Sequence, residues 1–282
     1  MLRVTPSAVF VLVAALWLAG PRPAPAQSGT APEAVRTAVG PVPDAAGARA
    51  IRIAAASDLR FALDDVAAAF RLRSPVTRID VTYGSSGTFH AQIVHGAPYD
   101  VFLSADLSYP RDLVARGRGD AAGSFVYAIG RLVLWVPSSS PLDVARGMDV
   151  MRDPRIRHVA IANPAHAPYG RGAEAAMRSA GVWDTVSRKL VLGENVAQAA
   201  QFVESGAAEI GVIAHSLALA PAMRGKGRYW DVPPGMYPVM EQGGLVLSSA
   251  VDPAAAVRFR AFMQSADARA ILARSGFTLP SR

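Results

Sequence analysis

The sequence predicts an α/β protein of two lobes, each a mostly parallel sheet flanked by helices. Three observations lead there. The chain has 282 residues, 51% apolar and 18% charged, enough to bury a large core and too hydrophobic for a disordered chain. Short apolar runs alternate with helical periodicities in βαβα order, which builds a parallel sheet with covering helices. The alternation repeats in a second block and resumes in a third, with no fixed repeat period and no coiled-coil heptads.

Each element carries its own signal. Ile51–Ala55 reads as a strand, Leu59–Leu72 as a helix, Ile79–Thr82 as a strand, Thr88–His95 as a helix and Val101–Ser104 as a strand. Leu59, Leu63, Val66 and Phe70 recur at three and four and give the first helix one apolar face. Gly96 is placed to end the second helix. In the next block Leu132–Val136, Val159–Ala162 and Ile210–Ala214 read as strands. Arg171–Ala180 and Val196–Ser205 read as helices closed by Gly181 and Gly206. Leu245–Ser248 then reads as a strand, followed by helices over Pro253–Gln264 and Ala268–Arg274.

The N-terminus is organised differently. Arg3 precedes an apolar run from Ala8 to Ala19, and Ala24-Pro25-Ala26 fits the small-x-small rule for cleavage before Gln27. The run is shorter than the roughly 20 residues that span a bilayer. Residues 1–26 therefore read as a secretory signal peptide cleaved near Ala26, and residues 27–48, rich in Ala, Pro, Gly and Thr, as a flexible leader. Removing the signal takes away Arg3 and Arg22 and no acidic residue, so 29 basic residues become 27 against 22 acidic ones. The basic excess is scattered, which disfavours nucleic acid. Cysteine is absent, which excludes disulfides, thiol catalysis, Cys-ligated metal and an acylated lipoprotein cysteine.

Four strand-to-helix junctions share a chemistry: Ala56-Ser57-Asp58, Gly84-Ser85-Ser86-Gly87-Thr88, Ala167-Pro168-Tyr169-Gly170 and Glu194-Asn195-Val196. The first turn of a helix has N–H groups without intrahelical acceptors and carries the positive end of the macrodipole, so small or hydroxyl residues there make an anion site. Each junction also has a plain reading. Ser57, Ser86 and Asn195 are ordinary N-cap residues, Asn195 with Gln198 forms a capping box, Gly84 and Gly87 suit a turn, and Ala167–Gly170 suits a proline loop.

Enzyme motifs are missing. Gly-Ser-Ser-Gly-Thr from Gly84 lacks the last glycine of the G-x-S-x-G nucleophile elbow, so a secreted serine hydrolase using Ser86 is a remote alternative. His90, His95, His158, His166 and His215 show no metal-binding spacing and read as surface or capping residues. There is no Walker A loop and no dinucleotide fingerprint, and adjacent Asp64 and Asp65 face different ways on a helix.

Taken together, Ala54-Ala55-Ala56-Ser57-Asp58-Leu59, Gly84–Thr88, the run Gly96–Asp106, Asn163-Pro164 with Ala167–Gly170, and Glu194–Val196 resemble the periplasmic molybdate-binding proteins of ABC importers, over about residues 51–279. The resemblance implies a two-lobed type II periplasmic-binding fold with lobe I at 49–129 and 239–282 and lobe II at 130–238. It places the crossings near Ala128–Arg131 and Pro238–Met240. It also implies a monomer without covalent chemistry or cofactor, which takes molybdate or tungstate between its lobes and passes it to a membrane permease. Ser57 and Ser86 fall on positions that give hydroxyls to the oxyanion, and Tyr169 and Val196 on positions that give backbone N–H groups. Asp58 falls on a backbone N–H position with its carboxylate turned away. All reach the metal through its oxygens, and none is a direct metal ligand. One departure stands out: Ala214, which cannot donate, occupies a place where part of the family has a tyrosine donor; the aromatic of Tyr169 is expected to fill the space and preserve pocket size, which leaves open the donor count and with it the preference between molybdate and tungstate. Sulfate has the same need for donors and is separated only by pocket radius, whereas phosphate carries a proton that needs an acceptor, which this site lacks unless Asp58 turns inward.

Overall fold

A computed structural model describes residues 50–281 of the chain. The signal-peptide and leader assignments, residues 1–26 and 27–48, lie outside the described residues. Two sheets of five strands organise the rest. The first has the order β2-β1-β3-β10-β4, built from β1 (Ile51–Ala56), β2 (Ile79–Gly84), β3 (Val101–Ser104), β4 (Ser124–Gly130) and β10 (Met240–Val246). The second has the order β7-β6-β8-β5-β9, built from β5 (Leu132–Pro137), β6 (Val159–Ala162), β7 (Leu190–Gly193), β8 (Ile210–Ala214) and β9 (Gly227–Asp231). The helices are α1 (Arg60–Arg73), α2 (Ser86–Val94), α3 (Ser108–Ala115), α4 (Pro168–Ser179), α5 (Trp183–Val186), α6 (Val196–Glu204), α7 (His215–Ala218), α8 (Pro253–Met263) and α9 (Ala266–Arg274).

Both sheets follow one rule. β1 pairs in parallel with β2 and β3, and β6 with β7 and β8, while β10 runs antiparallel to β3 and β4, and β5 antiparallel to β8 and β9. In each sheet four strands point one way, and the reversed strand is the one the chain enters from the other sheet. Arg131 separates β4 from β5, and residues 232–239 separate β9 from β10. The parallel strands therefore deliver their C-terminal ends, and the helices that follow, to one edge of each sheet, where open α/β sheets place their ligands.

Burial explains why these segments take these forms. Along β1, Ile53 and Ala55 join one core and Ala54 the other, all fully buried, so the strand is covered on both faces and reads as a continuous apolar run. Helix α1 buries Leu63, Val66 and Phe70, and the Phe70 ring meets Phe259 and Phe262 of α8 edge-on at 5.3 and 5.5 Å. One large core fills the second lobe, with Trp135, Tyr169 and Val196, and continues across to Ala56, Ala105 and Met240 of the first.

Several boundaries differ from those expected. Helix α2 begins at Ser86 rather than Thr88, with Ser85 at the cap position, and α4 begins at Pro168 rather than Arg171, because Pro at the first helical position initiates a helix rather than breaking it. Strand β10 spans Met240–Val246 rather than Leu245–Ser248. Its Gly243 and Gly244 look like breakers, yet a Cβ there would lie 2.4 Å from Leu107 and 2.3 Å from Phe125, so the strand needs them. Strands β4, β7 and β9 and helix α3 were not expected at all: β7 and β9 are half-exposed edge strands without clean alternation, and α3 carries Pro110 in its first turn.

Gly170 fixes how α4 leaves β6. A Cβ on it would lie 2.2 Å from the carbonyl oxygen of Ala162 and 2.8 Å from the nitrogen of Pro164. Both are backbone atoms with little room to yield, so Gly170→Ala should lower the free energy of unfolding by about 1–3 kcal/mol, read from the midpoint of denaturant unfolding.

Candidate functional site

The four junctions meet. Ser57 and Asp58 after β1, Ser85 and Ser86 after β2, Pro168 and Tyr169 after β6, and Asn195 and Val196 after β7 line one small cavity, two turns from each lobe. Ser57, Asp58, Ser86, Tyr169 and Val196 are all buried.

Local hydrogen bonding decides which donors remain. The Asn195 side chain accepts from the N–H groups of Ala197 and Gln198, both at 3.1 Å, and Gln198 Oε1 accepts from Glu194 N at 2.6 Å. This reciprocal cap holds the start of α6 rigid and leaves the Val196 N–H without an acceptor in the described chain. At α4 the cap position is Ala167, Pro168 has no N–H, and the Tyr169 N–H is likewise unpaired. Ser57 and Ser86 do not cap, contrary to their plain reading: Ala56 and Ser85 hold the cap positions, without a side-chain cap bond. Instead Ser57 Oγ accepts from Ala197 N at 3.3 Å and Ser86 Oγ from Ala105 N at 3.0 Å, so each hydroxyl keeps its own proton to give.

The lobes touch around this cavity. Ser57 reaches Ala197 as above, Gly87 N donates to His166 O at 2.9 Å, Ser85 Oγ donates to the same oxygen at 2.7 Å, and Ser216 Oγ donates to Asp58 O at 2.8 Å. At the rim Arg171 Nη2 bonds Asp106 Oδ2 at 2.7 Å. The His166 ring stands 3.0 Å from Ser85 Oγ and 3.5 Å from Glu194 Oε2, a Ser/His/Glu order that sequence reasoning missed. Because the Ser85 hydroxyl gives its proton to the His166 carbonyl, it is not set up as a nucleophile. Ser86, the serine of the hydrolase reading, has no imidazole partner. His215 is buried beside Tyr229 rather than at the surface. Among the described residues no group of His, Cys, Asp or Glu is arranged to hold a metal ion, and no helix is long and apolar enough to cross a membrane.

Asp58 is the unusual member. Its carboxylate, 1% exposed, accepts from the Tyr169 hydroxyl at 2.9 Å and from Gln242 Nε2 at 2.6 Å, both on Oδ2. Oδ1 has no partner, nor has Gln242 Oε1. Burial pushes the carboxyl up to about 6, and its two side-chain donors only partly oppose this. Burial and the Asp58 charge together push the Tyr169 phenol well above its ordinary range. The Tyr169 hydroxyl is thus spent on Asp58, not held free to replace a donor missing at Ala214. Gln242 and Ser216 were invisible in the sequence, since nothing local marks a polar residue whose partner lies 184 or 158 positions away.

Helix-start turns from two five-stranded sheets around one small cavity, with the chain crossing twice between the sheets, define a binding protein for a small solute. The chain belongs to the bacterial extracellular solute-binding protein family, whose model matches residues 51–278. It is 36% identical over 199 residues to a molybdate-binding protein of Rhodobacter capsulatus, covering 71% of this chain and 77% of that one. It is 33% identical over 235 residues to one of Azotobacter vinelandii, covering 83% and 92%. The solved periplasmic molybdate-binding protein of Azotobacter vinelandii matches with a TM-score of 0.77 at 32% identity, over 82% of this chain and 100% of that one.

The Asp58 environment has a sign in stability. An ordinary aspartate titrates near 3.8 and this one near 6, so the native state holds the extra proton between those values. Its stabilisation is complete below about pH 4 and is lost as pH rises through about 6. Relative to Asp58→Asn, which carries no titrating carboxyl, the wild-type free energy of unfolding should fall by about 3 kcal/mol from about pH 4 to about pH 7, measured by denaturant unfolding of both proteins across that range.

Proposed function

We propose that the protein is a periplasmic solute-binding protein that captures molybdate or tungstate between its lobes and delivers it to an ABC permease in the membrane. The observation that carries the reading is the donor set: four helix-start turns, two per lobe, converge on one cavity whose lining includes no Arg or Lys. A fully ionised tetrahedral oxyanion presents only acceptors, and a site of hydroxyls and amide N–H groups at helix N-termini supplies only donors. Ser57 and Ser86 give hydroxyls, and Tyr169 and Val196 give backbone N–H groups. Asp58 contributes through its backbone, and the metal is met only through its oxygens. The protein acts as a monomer and performs no covalent chemistry. Lobe I comprises 49–129 and 239–282, lobe II comprises 130–238, and the two crossings form the hinge. Export follows cleavage of residues 1–26 near Ala26.

Two measurements test this. An anion that touches both lobes stabilises the closed state, so unfolding should shift with ligand concentration, by about 2.7 kcal/mol at one hundred times the dissociation constant. Thermal melts indifferent to molybdate, tungstate and sulfate alike would remove the reading, and a larger shift with sulfate would change the ligand. In calorimetric titrations Ser57→Ala and Ser86→Ala each delete a hydrogen bond to a charged ligand, about 1.5–3 kcal/mol, or about ten- to a hundredfold in affinity. Near-neutral effects at both serines would mean that the anion is held elsewhere.

A further inference from the structure

We propose that the closed site takes up a proton together with its anion, and that Asp58 is the proton's binding site. This rests on the oxyanion reading above and goes beyond it by naming a second ligand.

The geometry has four parts. First, Asp58 is one of the residues that line the cavity with Ser57, Ser86, Tyr169 and Val196, and its carboxyl is buried directly behind that lining against Tyr169 and Gln242, so a bound dianion and an ionised Asp58 would be like charges at close quarters away from water. Second, among the described residues no positive group bonds Asp58: its two side-chain donors, the Tyr169 hydroxyl and the Gln242 amide, are neutral. Third, Asp58 Oδ1 and Gln242 Oε1 are both buried without a hydrogen bond of good geometry, the nearby N–H groups of Asp58 and Leu59 giving the carboxylate only partial support. A proton on Oδ1 supplies a donor where the structure has a surplus of acceptors. Fourth, the burial depends on closure. Asp58 and Gln242 belong to the first lobe, and Tyr169 and Ser216, which bond Asp58 from the other side, to the second. Separating the lobes takes the Tyr169 hydroxyl from the carboxyl and Ser216 from the Asp58 backbone carbonyl, and returns the carboxyl toward water, where it ionises in the ordinary way. The upward displacement of Asp58 in the closed form agrees with this.

The groups that face Asp58 from neighbouring elements leave few other candidates. Tyr127 on β4, Tyr169 on α4 and Tyr237 before β10 are all displaced upward by burial and stay protonated in the neutral range. On α1, Arg60 lies over the Tyr83 ring, Asp64 accepts from Tyr83 and Asp65 pairs with Arg274. On α6 the one charged residue, Glu204, sits at the far end with Lys226. On α4, Arg171 pairs with Asp106 and Glu174 with Arg178. Glu241, next to Gln242, is exposed. Two imidazoles stand near: His166, across the cavity rim with its ring on Ser85 Oγ and beside Glu194, and His215 on α7, whose burial disfavours its charged form.

Closure on one dianion with one proton adds a single negative charge to the protein instead of two. Affinity therefore depends on pH. Between the value of the open carboxyl and the higher value of the closed, anion-bound one, binding weakens about tenfold per pH unit, then levels once the bound form ionises as well.

Calorimetric titration of the mature wild-type protein with sodium molybdate, and separately with sulfate, in pairs of buffers of unlike ionisation heat counts the protons exchanged. Between about pH 5 and about pH 6, about one proton should enter per anion, with the affinity slope just given. A protonated anion that bound as the dianion would release protons, the opposite sign. Asp58→Asn should abolish the uptake and flatten the pH profile, and His215→Gln should retain the wild-type count. The proposal is overturned if anion binds to the wild type with no proton uptake, if the uptake survives in Asp58→Asn, or if it vanishes in His215→Gln. If neither anion nor tungstate binds at all, both this proposal and the oxyanion reading fall. Should Asp58→Asn not fold, the wild-type count and His215→Gln still decide.

Discussion

Amide N–H groups at the first turn of a helix cannot find acceptors within the helix, and the rest of this molecule is arranged around that fact. Each sheet sends its parallel strands to the same edge, so each lobe collects such turns in one place. Bringing two edges face to face places the unpaired donors of both around one cavity. Where a side chain can satisfy a turn it does so, as Asn195 does for Ala197 and Gln198. The Val196 and Tyr169 N–H groups are left over, the first because the cap reaches past it and the second because the cap position is Ala167, which has no side-chain acceptor. These donors are part of the backbone and cannot rotate away, so little needs to be reorganised when an anion meets them.

Against that field of donors, Asp58 is the counterweight. An acidic side chain at a helix start is ordinary at a surface, where it favours the dipole and faces water. Here it is enclosed by a phenol from the other lobe and an amide from β10, and the same donors that hold it also tie the lobes together. The two hydrogen bonds are strongest to the ionised carboxylate, but burial opposes the charge by more than they favour it. The lobe interface and the ionisation of one carboxyl are therefore parts of a single equilibrium.

What the sequence made legible was local. The strand-to-helix turns at Ser57, Ser86, Tyr169 and Val196 carry their chemistry in a few consecutive residues, and the continuous apolar runs of β1, β3, β6 and β8 announce strands buried on both faces. The edge strand β9 was hidden because its half-exposed residues mix polar and apolar types, β7 because its apolar run is only four residues long and ends in glycine, and β10 because its two glycines answer to Leu107 and Phe125 rather than to a turn. At the site the same division holds. Asn195 with Gln198 could be read as a cap from spacing alone, but the bonds from Gln242 and Ser216 to Asp58 exist only because the chain passes twice between the lobes. Their physics is tertiary, and no window of neighbouring residues contains it.

The reversed strand of the first sheet also governs the order in which the molecule can be assembled. Leu245 of β10 pairs with Phe102 of β3, and Gln242 with Ala128 of β4, so the strand that joins these two arrives only after the whole second lobe has been threaded. The second sheet draws all its strands from one continuous stretch. A chain emerging from its N-terminus can complete the second lobe while β3 and β4 still present unpaired edges, and the first lobe must wait for the last quarter of the polypeptide. Loop closure over so many residues is slow, and in the interval those open edges are the surfaces on which the chain is exposed to mispairing.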